Sequence, residues 1–283
     1  RDVAPSRGLG DVYKRQPVEG VTALALCDGD VTLRFEKDET GAWTWFDDPA
    51  FPLDQTALED LLALPAALDS GETVADVQEL AVYGLEAPKK YITVTSDGVD
   101  VVYYLGDQAA DGRWYVLTPA GTVRYTSDEN KMLLSRSIYA MAVLPVLPVI
   151  EPDRLVSVSL LRADGTAAVS FYTAEDGTRR SANRDVTEKT AALADEIAAL
   201  TLTACVDYDP AEGAAAVCGL DTPEVTLTVN YLADNSAERT LTLAVGLSTG
   251  DGGRYVALDG DTTIYRMEES SLTQILTLSE TGL

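Results

Sequence analysis

Tyr83-Gly84-Leu85-Glu86-Ala87-Pro88 returns later in the chain as Cys218-Gly219-Leu220-Asp221-Thr222-Pro223, with glycine, leucine and proline at the same spacing. The features that follow recur in step. Gly106 answers Gly246, Tyr115-Val116 answers Tyr255-Val256, and Tyr125 answers Tyr265, once an insertion at Ala233 to Ala237 is allowed. That insertion falls between two strand patterns, and a hairpin tip is where extra residues are tolerated most easily. Self-similarity of this kind marks a tandem duplication of a module of about 130 residues.

Each copy reads as α+β. It opens on alternating strands: Val21 to Leu26 and Val31 to Phe35 around Asp28-Gly29, then a short strand with Trp43 and Trp45. In the second copy Leu155 to Leu161 and Ala167 to Tyr172 flank Asp164-Gly165. A helix follows. In the first copy Asp54 is placed to cap it and Leu58, Leu61 and Leu62 form its apolar stripe, with Pro65 expected to end or kink it. In the second, Leu193, Ile197 and Leu200 carry the i, i+4, i+7 spacing of a buried face.

The Gly-Leu-x-x-Pro turn then launches a four-strand antiparallel meander with one covered face, running Tyr91 to Tyr125 and again Val225 to Tyr265. Gly84 and Gly219 suit a positive φ, Leu85 and Leu220 suit packing beneath the turn, and Pro88 and Pro223 fix the extended chain beyond it. A C-terminal helix closes each copy, opening on Ser127-Asp128-Glu129 and reaching Met141 in the first, and opening on Glu268-Glu269 in the second. The boundaries read as a first repeat at 17–143, a Pro-rich connector at 144–153 with Pro145, Pro148 and Pro152, and a second repeat at 154–283. The connector reads as stiff and extended, and its Val and Ile suit lying against a domain.

Residues 1–16 stand apart. Ser6 to Gln16, SRGLGDVYKRQ, resembles a translated sequencing adapter, so this tail is expected to be non-native and the true N-terminus missing.

The net charge of −25 disfavours nucleic-acid backbones and direct docking on anionic lipid. No apolar run reaches the ~20 residues of a membrane helix. There is no histidine, which removes the usual general base, the usual metal ligand and every Ser-His or Cys-His arrangement. Cys27, Cys205 and Cys218 are too few for a disulfide framework or zinc site and read as buried thiols, with a Cys205–Cys218 pair as the alternative. The acidic turns Asp251-Gly252-Gly253 and Asp259-Gly260-Asp261 do not match an EF-hand loop. No cofactor and no metal is expected.

With these residues in place, the chain resembles the bacterial domain-of-unknown-function 4340 family, once per copy. The resemblance rests on the Trp-containing strand, Phe51-Pro52-Leu53-Asp54-Gln55, the Tyr-Gly-Leu-x-x-Pro turn, Leu105-Gly106-Asp107, Tyr115, Tyr125 and the Ser-led terminal helix. The second copy departs from it: Cys218 replaces the tyrosine, Leu247 stands opposite Asp107, and no Phe-Pro-x-Asp-Gln precedes Asp185. The resemblance implies a protein anchored outside the cytoplasmic membrane, in some cases beside ABC-type transporter components of the gliding-motility kind. It supplies no catalytic residues.

The expectation is therefore a non-catalytic extracytoplasmic binding or scaffold module. Its partner would be an ABC transporter component of the cell envelope, and its membrane contact would run only through the missing anchor. A carbohydrate- or peptide-binding surface is the first alternative. The second is a glycoside hydrolase using a carboxylate pair among Asp54, Glu86 and Asp107. The binding surface is placed around Tyr83, Asp107, Trp114 and Tyr115 in the first copy.

Overall fold

The computed structural model describes residues 20–283; the adapter-like tail expected at 1–16 lies outside the described residues. The chain is a mixed helix-and-sheet protein built on two antiparallel sheets. It divides into two compact units, the first ending at Val143 and the second running Leu144–Leu283.

The first unit holds β1 (Val21–Asp28), β2 (Val31–Lys37), β3 (Trp43–Trp45), α1 (Gln55–Asp69), β4 (Lys90–Ser96), β5 (Val99–Gln108), β6 (Trp114–Leu117), β7 (Val123–Thr126) and α2 (Asp128–Leu134). Its sheet order is β3-β2-β1-β4-β5-β6-β7, so β1 and β4 join the opening strands to the meander. Alternation puts Leu24, Phe35, Ile92, Tyr103, Leu105 and Val116 on the helix side, all buried.

Gln55 does the work of a strand beside β3. Its Oε1 accepts from the Trp43 N–H at 2.9 Å and its Nε2 donates to the Trp43 carbonyl at 2.9 Å. The neighbouring Asp54 caps α1 by accepting from the Thr56 N–H.

Two sequence expectations are corrected here. The first helix continues through Pro65 to Asp69. Leu58, Leu61, Leu64 and Leu68 are fully buried along it, and burying four leucines at ~1.5–3 kcal/mol each outweighs the ~3 kcal/mol cost of an interior proline. The closing helix stops at Leu134 rather than running to Met141. Met141 sits instead in a separate 3-10 turn at Tyr139–Met141, whose carbonyl accepts from the Asp54 N–H at 2.8 Å. That return to the start of α1 is a long-range pairing with no periodic signal.

The second unit holds β8 (Leu155–Arg162), β9 (Ala167–Thr173), β10 (Arg179–Ser181), β11 (Arg184–Asp185), α3 (Ala191–Ala198), β12 (Ala204–Asp207), α4 (Ala214–Val217), β13 (Val225–Leu232), β14 (Glu238–Ser248), β15 (Gly253–Leu258), β16 (Ile264–Glu268) and α5 (Thr273–Thr281). Its sheet order is β11-β10-β9-β8-β13-β14-β15-β16-β12. Leaving aside β11 and β12, this is the strand order of the first sheet. β12 is an additional edge strand; among the described residues of the first unit, the bridge Thr73↔Arg124 alone lies along the corresponding edge of β7.

The Pro-rich segment lies against the second unit. Leu147 and Ile150 are buried in that unit's core with Leu144 packed beside them, while Val146 and Val149 point to solvent. Burial at every third residue, between the extended Ala142 (φ −78, ψ 138) and Glu151 (φ −60, ψ 145), fits the threefold period of an extended, proline-stiffened strap. All three cysteines are buried and free.

Candidate functional site

The turn that recurs in the sequence is a docking device. In the first unit a 3-10 helix at Leu80–Tyr83 ends on Gly84 at φ +68, with the Leu85 N–H donating back to the Leu80 carbonyl at 2.9 Å. In the second, α4 is followed by Gly219 at φ +69, and the Leu220 N–H reaches the Ala215 carbonyl at 2.7 Å. Both carry the 6→1 bond of a Schellman-type stop, in which the left-handed residue avoids a Cβ clash by being glycine.

Each turn then presses on a bulge of the meander. A β-carbon on Gly106 would lie 2.1 Å from the Tyr83 carbonyl oxygen, and one on Gly246 would lie 2.3 Å from that of Cys218. The residue after each strand glycine covers the turn glycine: the Asp107 carboxyl lies over Gly84, and the Leu247 side chain lies over Gly219. Leu85 is buried beneath its turn and Leu220 is half-buried; Pro88 and Pro223 precede β4 and β13.

This docking gives the first sheet a small second core on the side away from the helices. It is built from Val74, Tyr83, Leu85 and Val123, with Tyr104, Tyr115, Leu117 and Tyr125 packed against it. Tyr83 was expected to offer binding surface; it is 6% exposed, its ring meets Tyr115 edge-on at 4.8 Å, and its hydroxyl accepts from the Gln78 N–H. It supports the surface from below.

The surface itself is a row of half-buried tyrosines. Tyr91 and Tyr104 face each other in register across β4 and β5, with ring centroids 5.9 Å apart. Tyr115 and Tyr125 do the same across β6 and β7 at 5.3 Å. The Arg113 guanidinium lies 3.8 Å from the centre of the Tyr125 ring, and donates to Asp111 and Glu72. Those hydrogen bonds, the one to Asp111 foremost, strengthen its hold on its proton and hold Asp111 below the usual carboxylate range.

Trp114 is not part of this face. Strand alternation turns it to the other side of the sheet, where its Nε1 donates to Asp128 at the start of α2 and the Lys131 ammonium sits over its ring. Of the four residues singled out from sequence, Tyr83 and Tyr115 meet, Asp107 guards the adjoining turn, and Trp114 is separate. Tyr91, Tyr104, Tyr125 and Arg113 were missed. Alternation places Tyr115 on one face of its own strand; only the register, with its shift between Leu105 and Gln108, brings Tyr91, Tyr104 and Tyr125 to the same face.

The three carboxyls considered for hydrolysis serve different elements: Asp54 caps α1, Asp107 covers Gly84, and Glu86 is exposed within the turn. Among the described residues, no group of three or more acidic or cysteine side chains is arranged to hold a metal ion.

A family model, domain of unknown function (DUF4340), matches residues 43–212 and again residues 186–281. The chain belongs to the DUF4340 family. The two overlapping matches are consistent with a tandem arrangement. No curated protein and no solved structure matches the chain. Within this DUF4340 protein the first match begins at Trp43, the residue whose backbone Gln55 secures, and takes in the turn and the tyrosine face.

The second unit has no such face. The register pair at the position of Tyr91 and Tyr104 is Thr226 and Ala244, and Cys218 stands for Tyr83. Tyr265 is buried, with its hydroxyl donating to Asp261 at 2.6 Å.

Proposed function

We propose that this DUF4340 chain is a non-catalytic binding or scaffold module, in which two copies of one domain have diverged and the first grips a protein partner. One observation carries this reading. The tyrosine row Tyr91, Tyr104, Tyr115 and Tyr125, capped by Arg113, belongs to the first unit alone, while both units keep the same turn and strand order. Tyrosine and arginine are among the side chains enriched at the centres of protein interfaces: tyrosine brings a large contact area with two torsions to freeze, and arginine brings a planar, charged fork that stacks and hydrogen-bonds.

The partner fits an envelope protein, and an ABC-type transport component is the first to test, with this chain anchored at the extracytoplasmic face of the bacterial membrane. The complete lack of histidine and the strongly acidic surface support a role in contact rather than catalysis. A stacked sugar is the weaker occupant. The paired rings stand at 62° and 38° to one another, so neither pair offers a coplanar platform.

The test is retention of detergent-solubilised envelope proteins on the immobilised chain, read by mass spectrometry. Recovery of a transporter component by the native chain, and its loss with Tyr91→Thr/Tyr104→Ala, is the expected result. Recovery of no transporter component, or equal recovery by the variant, overturns the reading.

A further inference from the structure

On the opposite side of the first unit, α1 and α2 leave an open groove of about 1300 Å³ between them. Its floor is apolar: Leu62 and Ala66 from α1, Met132 and Leu133 from α2. Met132, one of the lining residues, is 63% exposed, a large apolar side chain left in water. The outward row of α1 is small, with Ala63, Ala66 and Ala67 all exposed, so another backbone can come close.

The rim carries Asp60, Asp128 and Glu129 against one cation, Arg136. Asp128 gives one oxygen to Trp114 and keeps the other free to accept. The groove is larger than the ~300–1,000 Å³ of a small-ligand pocket and runs beside a 15-residue helix, about 22 Å long. The lining follows α1 from Asp60 to Ser70, about 15 Å, and an open, largely apolar channel of that length suits about three turns of an amphipathic helix laid in on its i, i+4, i+7 row.

We infer that the α1–α2 groove docks a basic amphipathic helix of a protein partner. The acidic rim selects the sign. A chain of net charge −25 repels acidic helices before contact and draws in lysine- or arginine-faced ones. This site stands apart from the tyrosine face, from which the sheet itself separates it.

The probe is a synthetic helix of about five turns with leucines on one face and lysines on the other, titrated by fluorescence anisotropy against the full chain. Its twin carries glutamate in place of lysine. The lysine peptide is expected to bind, and the glutamate twin to bind about tenfold more weakly or worse. Met132→Lys, at an exposed position, is expected to weaken the lysine peptide about tenfold, whereas Tyr91→Thr/Tyr104→Ala leaves it unchanged. No binding of the lysine peptide, equal binding of the twins, or indifference to Met132→Lys overturns the proposal. So does a chain whose self-association, rather than peptide binding, responds to Met132→Lys.

Discussion

The carbonyl oxygen of Tyr83 occupies the space where a β-carbon on Gly106 would stand, 2.1 Å from that position. Cys218 and Gly246 repeat the relationship at 2.3 Å. A contact kept while the tyrosine becomes a cysteine is a backbone requirement, and it seats the turn on the meander in each unit.

Gly106→Ala forces the turn off the sheet and is expected to destabilise the first unit by about 2–4 kcal/mol. Gly84→Ala first meets the carboxyl end of the Asp107 side chain, which can rotate away, so its main cost is the left-handed backbone, about 1–2 kcal/mol. Urea unfolding checks the ranking; a larger loss for Gly84→Ala would contradict it.

Burial, reinforced by the nearby Asp207 and Asp261 carboxylates, pushes the Cys205 thiol up to about 11, and burial with Asp207 raises Cys218. Thiolate is the reactive form, so alkylation of Cys205 at pH 8 should be slower by about a hundredfold in the native chain than in urea, and Cys218 should be slowed as well. Labelling in urea that required prior reduction would show a disulfide, contrary to the free thiols.

Glu196 accepts from the Gln274 and Ile275 N–H groups at 2.8 Å each, tying α3 to the start of α5. Burial raises its pKa and those hydrogen bonds lower it; burial wins, so the folded value lies above 4.5. A raised folded pKa adds stability at pH below the unfolded value, and that increment fades as pH rises through the folded value. The carboxyl carbon of Glu196 should therefore titrate above 4.5 by NMR, and Glu196→Gln should flatten the stability profile just above that pH. A midpoint at or below 4.5 would contradict this.

Pro65 has no N–H for the Leu61 carbonyl, yet its helix persists. Pro65 is half-buried; Pro65→Ala supplies that bond and should raise stability by about 1 kcal/mol in the same urea assay. A loss would mean that the proline ring itself packs usefully.

The mixed α+β character and the strands of both meanders were legible because alternation and turn glycines are local signals. The turn glycines were legible for the same reason, φ being a property of one residue. Pro65 misled because local propensity says nothing of four leucines buried behind it. β12 and the Thr73↔Arg124 bridge were invisible, since neither segment carries an alternating run long enough to stand out. The proposed contact surface was half legible: Tyr115 stood out as an aromatic beside Trp114, whereas Tyr91, Tyr104 and Tyr125 needed the register that sets them side by side. Tyr83 was misplaced because a tyrosine beside a turn looks the same from sequence whether its ring turns inward or outward.

A photo-crosslinking amino acid placed at Tyr104 and, separately, at Ala244 distinguishes a contact surface on the tyrosine face of the first unit from the matching position of the second. Irradiated with envelope proteins, the chain is predicted to form an adduct from position 104 and none from position 244. Equal adducts from both positions, or none from 104, would contradict it.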